Sequence, residues 1–321
     1  MSIRPIILDQ HQLTPFYQIY RQTLCAKNMG LDDRLRRGSM QRIDRFLELA
    51  SEYDLILLDA FGVLNRGSTA IPGAAETIAT LRGRGQAYLV VSNNASQSPA
   101  RLEENLRQMG FDFQLDQIIS SGMATPVFIE ASVYRGLPYF LVGSQESLEA
   151  YAPTPERLVV NGPDATLDRL LEASFILFCS DRDYYGTLQQ SQLDSLLERV
   201  QKPILLANPD LVTPSKTDGL SVVAGYTATL LAQRFGLEVV GIGKPFSPIF
   251  ALALKKFPDI SPERVLMVGD TLDTDILGGA AMGFATCLTL SGVYANQEDH
   301  LEALCDIRGI RPDFVVASIA D

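Results

Sequence analysis

From about Ser51 onward the chain alternates short apolar runs with longer mixed stretches. Leu55-Ile56-Leu57-Leu58 is continuously apolar, the pattern of a strand covered on both faces, as in a parallel sheet. Tyr88–Val91, Gln117–Ile119, Tyr139–Val142, Phe175–Phe178, Ile204–Ala207, Val239–Ile242, Val265–Val268 and Thr286–Leu290 read the same way. Helical stretches lie between them. Pro72–Leu81 closes at Gly83 and Gly85, and Ser98–Met109 opens on a Ser-Pro start and stops at Gly110. Leu167–Leu171, Leu193–Val200 and Pro248–Lys256 complete the set. Strand and helix in alternation predict an α/β fold with a doubly wound parallel sheet. Before Ser51 the pattern differs. Ile43, Phe46, Leu47 and Ala50 recur at i, i+3, i+4 and i+7, which predicts an amphipathic helix within Gln41–Tyr53. Residues 1–50 are read as a helical extension that serves packing.

The polar residues matter most where they follow apolar runs. Asp59 ends one strand, Ser92-Asn93 a second and Asp270 a third, and Lys244 follows a fourth. In open parallel sheets ligands bind beyond the carboxyl ends of the strands, at the switch in strand order, so these residues can converge. A carboxylate can attack phosphorus. Carboxylates can hold Mg²⁺ to neutralise the transferred group. A lysine can act as a point charge on phosphate, and Ser92 Oγ and the Asn93 N–H can donate to phosphate oxygens. Each piece alone has an ordinary reading: Asp after a strand is commonly a turn residue or helix cap, and Ser-Asn-Asn is a plain turn signal. The stretch Gly269–Asp275 differs, because three carboxylates crowd seven residues and repel one another without a cation or solvent.

Composition narrows the partners. The chain has 321 residues, of which 46% are apolar, and a net charge of −11. That is material for one large domain or two moderate ones, and the acidic balance argues against a nucleic-acid binder. Cys25, Cys179, Cys287 and Cys305 lack metal-ligand spacing and read as buried thiols in a reducing compartment. No segment approaches ~18 consecutive apolar residues, and no opening stretch joins a basic start to a long apolar run. The expectation is a cytoplasmic protein without membrane contact.

With these residues in order, the chain resembles the haloacid dehalogenase superfamily. The likeness is greatest to the subclass of nitrophenylphosphatase-like, pyridoxal phosphatase-like and phosphoglycolate phosphatase-like proteins, which insert an α/β cap between the second and third motifs. The matching pieces are Leu55–Gly67, Val90–Ser96, Ala207–Asp210, Gly243–Pro245 and Val265–Gly279. The resemblance implies a Mg²⁺-dependent phosphatase acting on a small phosphorylated metabolite through an aspartyl-phosphate. It implies that Asp59 is nucleophile and metal ligand, that the Phe61 carbonyl and Asp270 are further ligands, and that Asp275 lies at or just outside the metal shell. Ser92 would bind the phosphoryl group, with Asn93 assisting through its backbone, and Lys244 would stabilise Asp59 and the phosphate. Asn208 and Asp210 would support the lid or contact substrate. The implied organisation is a helical extension at 1–50, a core at 51–144 and 238–321, and a cap at 145–237. Caps of this subclass often take part in dimer contacts, so a homodimer is among the expected states.

One departure stands out. Phosphatases of the family place a second Asp two residues after the nucleophile, as proton donor and then base, and here that position is Phe61. Asp273, Asn65 and a cap residue are the candidate substitutes. Asp181-Arg182-Asp183 ends a cap strand and reads as a solvated loop before it reads as a substrate contact. The alternative function is a catalytically weakened protein that binds metal and phosphorylated ligands. A phospho-acceptor signalling domain also uses Asp, Ser/Thr and Lys at strand ends, but the insertion and the Gly269–Asp275 motif in this order argue against it.

Overall fold

Strand alternation organises the protein into two parallel sheets back to back. The computed structural model describes residues 7–8, 10–25, 38–144, 146–147, 158–160, 171–180, 197–199, 201–214 and 220–320. Among these, seven strands form the larger sheet, in the spatial order Gln41–Ile43, Phe314–Val316, Ala285–Thr289, Val265–Gly269, Leu55–Leu58, Ala87–Ser92 and Ile118–Ser120. Every pairing in it is parallel. Chain order runs outward on one side from Leu55–Leu58 and on the other from Val265–Gly269 as far as Phe314–Val316, beyond which Gln41–Ile43 adds the edge. The switch point therefore lies between these two neighbours, and their carboxyl ends carry Asp59 and Asp270.

Five strands form the second sheet, in the order Val239–Gly241, Ile204–Leu206, Phe175–Phe178, Tyr139–Val142 and Leu158–Val160. It too is parallel throughout, with its own switch between Tyr139–Val142 and Phe175–Phe178. This corrects the domain boundaries expected at 144 and 238: the strands Tyr139–Val142 and Val239–Gly241, assigned to the core, pair inside the inserted sheet. The fold class is the expected one. The strands Val212–Pro214 and Leu220–Val222 pair antiparallel, and Ile7–Leu8 adds a third strand.

Packing follows the two-residue period of each strand. Leu55 and Leu57 face a cluster with Leu89, Met267, Tyr139, Leu141 and Phe175, so one face of the larger sheet shares its core with the inserted sheet. Ile56 and Leu58 face the opposite cluster with Val90, Val268 and Ile78. Ser98 caps the helix Pro99–Gln108 as predicted, its hydroxyl accepting the Arg101 N–H at 3.2 Å.

The N-terminal reading needs correction. Gln41–Ile43 is an edge strand parallel to Phe314–Val316, and the helix begins only at Phe46. The open edge at Phe314–Val316 offers the backbone of residues 41–43 partners that override the helical spacing of Ile43. The expected helix at Leu193–Val200 is described only at 197–199, which are helical, and Leu167–Leu171 lies outside the described residues except for Leu171. Asp181-Arg182-Asp183 also lies outside them. No helix of the described residues is long and apolar enough to cross a membrane.

Candidate active site

The site begins with where the two central strands stop. Asp59 follows Leu58 directly, and its N–H donates to the Val268 carbonyl at 2.9 Å. The parallel register thus carries on past the strand and holds Asp59 beside Asp270. The Asp270 carboxylate accepts the Thr271 hydroxyl at 2.9 Å and the Val293 N–H at 2.8 Å. Asp275 accepts the Thr271 N–H at 3.1 Å. Oxygens of Asp59, Asp270 and Asp275 lie within 4.8 Å of one another, and all three residues are buried.

Backbone fits closely around this triad. Gly62 has φ +81°, and a Cβ there or at Gly292 would overlap the Asp270 carboxylate. The Phe61–Gly62 peptide therefore passes directly against Asp270. Buried oxygens from three carboxylates are the hard donor set that suits Mg²⁺, and the residues fit that ion.

Lys244 is the cation of the site. Its Nζ lies 2.6 Å from Asp59 Oδ1 and 2.7 Å from Asp275 Oδ1, with only 1% of its side chain exposed. Burial disfavours the ammonium, but Asp275, Asp59 and Asp210 outweigh it and hold the lysine above its ordinary pKa. One ammonium does not balance the carboxylates. Burial, reinforced by Asp59, pushes Asp270 up to about 7 against the two hydrogen bonds it accepts. Burial also raises Asp275, opposed by Lys244 and reinforced by Asp59 and Asp270. These shifts mark a site short of positive charge.

Asn93 has a role the sequence does not disclose. Its Oδ1 accepts the Lys244 N–H at 2.7 Å, and its Nδ2 donates to the Lys244 carbonyl at 2.9 Å and to Asp210 Oδ1 at 2.7 Å. One side-chain amide thus fixes the backbone of the lysine and a carboxylate of the inserted sheet. The partners lie over a hundred residues away in sequence, so no local pattern signals it.

Asp59, Phe61, Ser92, Asn93, Asp270 and Thr271 line one pocket, with Ser180, Asn208, Asp210 and Thr213 from the inserted part. The structure thus brings together Asp59, Ser92, Asn93, Asn208, Asp210 and Asp270 in one cavity, with Lys244 and Asp275 buried beneath it. The candidate substitutes for the missing acid sort differently. Asn65 is buried and donates to the Gly67 carbonyl at 2.7 Å. Asp273 turns away to Arg308 Nη1 at 3.3 Å, and both side chains are 1% exposed. Neither lines the pocket. Phe61 does, and is 37% exposed.

The site agrees with what the chain resembles. The family described as haloacid dehalogenase-like hydrolase matches residues 56–153, and a second, HAD-hydrolase-like description matches 241–321. Human glycerol-3-phosphate phosphatase is 32% identical, over 93% of this chain and 98% of that protein. Dihydroxyacetone phosphatase of Corynebacterium glutamicum is 27% identical, over 83% and 89%. A crystal structure of a possible sugar phosphatase from Cytophaga hutchinsonii superposes with a TM-score of 0.76 at 32% identity, over 88% of this chain and 99% of that one.

Proposed function

This chain belongs to the haloacid dehalogenase-like hydrolases, and we propose that it is a Mg²⁺-dependent phosphomonoesterase for a small phosphorylated metabolite, with Asp59 as nucleophile. The observation that carries the reading is the Lys244 ammonium held between Asp59 and Asp275, with Asp270 completing the triad at the switch point. Relatives named glycerol-3-phosphate phosphatase and dihydroxyacetone phosphatase support small phosphate esters as the substrate class.

Lys244 ties one oxygen of Asp59, so the other carries the attack on phosphorus. The ester P–O bond then breaks with its electron pair on the leaving oxygen, leaving a phosphoryl group on Asp59. Water hydrolyses that acyl phosphate and restores the carboxylate. Lys244, the Ser92 hydroxyl and the Asn93 N–H steady the phosphoryl oxygens. Mg²⁺ held by Asp59, Asp270 and the Phe61 carbonyl, with Asp275 at or just beyond its ligand shell, would supply neutralising charge.

Phe61 favours a second reading, a weakened enzyme that binds without efficient turnover, since general acid–base catalysis contributes about 10²–10⁴-fold. A phosphatase screen with Mg²⁺ on glycerol-3-phosphate, dihydroxyacetone phosphate and 4-nitrophenyl phosphate separates the two. Turnover by the wild type that Asp59→Asn abolishes is the expected result. A silent wild type beside an active Phe61→Asp variant would establish the weakened protein instead.

A further inference from the structure

We propose that Asp210, brought to the cleft by the inserted sheet, is the general acid and base of this site, in place of the carboxylate that Phe61 does not supply. This inference rests on the phosphomonoesterase reading above.

Among the described residues three carboxylates line the pocket: Asp59, Asp210 and Asp270. Asp59 is the nucleophile, and Asp270 belongs to the acidic triad. Asp210 stands outside the triad and is free for proton transfer. It shares the pocket wall with Phe61.

Asp210 is also held in place. Its N–H donates to Asn208 Oδ1 at 3.0 Å, and its carbonyl accepts the Gly225 N–H at 3.0 Å. A Cβ at Gly225 would overlap the backbone of Pro209 and Asp210, and one at Gly243 would overlap Asn93 Oδ1, the Ala207 carbonyl and Pro209. The loop carrying Asp210 therefore seats directly on the backbone that carries Lys244. Through Asn93 the carboxyl is registered on the lysine that holds the nucleophile, the positional control that proton transfer to a leaving group requires. The charged groups facing it are Lys244 and Asp59. Burial raises its pKa to about 6, with Lys244 and the Asn93 hydrogen bond opposing and Asp59 reinforcing. Near neutral pH both protonation states are then accessible.

The reaction balances with Asp210 in both roles. Asp59 bonds to phosphorus, the P–O ester bond breaks with its electron pair on the leaving oxygen, and that oxygen takes the proton of Asp210 to depart as the alcohol. The Asp210 carboxylate then takes a proton from water as the water oxygen bonds to phosphorus. The P–O bond to Asp59 breaks, its electrons return to the Asp59 carboxylate, phosphate leaves, and Asp210 is protonated again.

The test compares glycerol-3-phosphate, whose alkoxide needs a proton to leave, with 4-nitrophenyl phosphate, whose phenolate needs it far less. Asp210→Asn keeps an oxygen for Asn93 but cannot give up a proton. It should lower kcat on glycerol-3-phosphate by about 100-fold or more and on 4-nitrophenyl phosphate by roughly ten times less. Asp210→Glu should recover part of the loss. Phe61→Asp should raise alkyl-ester turnover by a larger factor in Asp210→Asn than in the wild type, an interaction that a purely structural role for Asp210 does not produce. Equal slowing of both esters with no rescue, or no slowing of either, overturns the assignment and leaves the phosphatase reading standing. A wild type silent toward both esters overturns the two together.

Discussion

Asp270 shows how much charge the site holds unbalanced. Its carboxyl is raised to about 7, first by burial and then by Asp59, so the folded protein binds that proton more tightly than the unfolded chain does. Without metal, stability therefore declines as pH climbs from the ordinary carboxylate range through about 7, and the full penalty is present at pH 8. Asp270→Asn removes the charge and keeps an oxygen for the Val293 N–H. In EDTA at pH 8 the variant should melt a few degrees above the wild type, and at pH 4 the difference should vanish. Mg²⁺ should stabilise the wild type and do much less for the variant. Thermal denaturation with and without Mg²⁺ at both pH values checks this; a variant less stable in EDTA at pH 8 would show that the carboxylates do not repel. Residue identities at strand ends were legible in the sequence, since Asp59, Ser92 and Asp270 each follow an apolar run. The Asn93 clamp and the turning of Asp273 toward Arg308 were not, because both depend on partners distant in the chain.

At the scale of elements, the apolar runs located the strands, but not which sheet each joined. Tyr139–Val142 and Leu55–Leu58 carry the same continuous apolar pattern, and only pairing separates them. The helix Ser121–Ala131 is not legible in the sequence, because it buries Ser121 and Thr125 beside Ala124 and Ile129 and contains Pro126, leaving no clean helical period to read. The loops that close the site depend on glycine at positions the pattern also leaves unmarked. Gly62 and Gly85 make a controlled pair. Both have positive φ, +81° and +67°, but a Cβ at Gly62 would strike Asp270 while one at Gly85 would meet nothing within 4 Å. Gly85→Ala should cost about 1 kcal/mol of backbone strain with kcat unchanged. Gly62→Ala should cost more, roughly 1–3 kcal/mol, and should lower kcat well beyond what its melting temperature implies, because it displaces a carboxylate of the acidic triad. Parallel melting curves and kinetics on the two variants decide it; an intact kcat in Gly62→Ala would mean that the loop yields without moving Asp270.

Across the whole molecule the inserted sheet is bound into the fold rather than hung from it. One face shares a cluster with Leu55, Leu57 and Met267 of the larger sheet. On its other face Phe140, Ile176 and Phe178 join Leu272, Ile276, Tyr294 and Leu304 through the N-terminal helix Gln10–Tyr20, whose Leu13, Tyr17 and Tyr20 belong to the same cluster. The residues before Ser51, read from sequence only as packing, thus span both sheets. Tyr17 is central to that span. Its ring lies 3.0 Å from the Arg308 guanidinium carbon, and Arg308 pairs with buried Asp273, two residues from Asp275. Removing the ring leaves a cavity in this cluster and strips the cation–π contact from a buried arginine, so Tyr17→Ala should cost about 3–5 kcal/mol, as for other large buried aromatics. Because the clusters are shared, that loss should fall on both sheets at once. Calorimetry should show one transition in the wild type and one, at lower temperature, in the variant, with hydrogen exchange at Leu57 and Leu177 accelerating together. Two separated transitions, or faster exchange confined to Leu177, would mean that the inserted sheet unfolds on its own and that the N-terminal helix braces it alone.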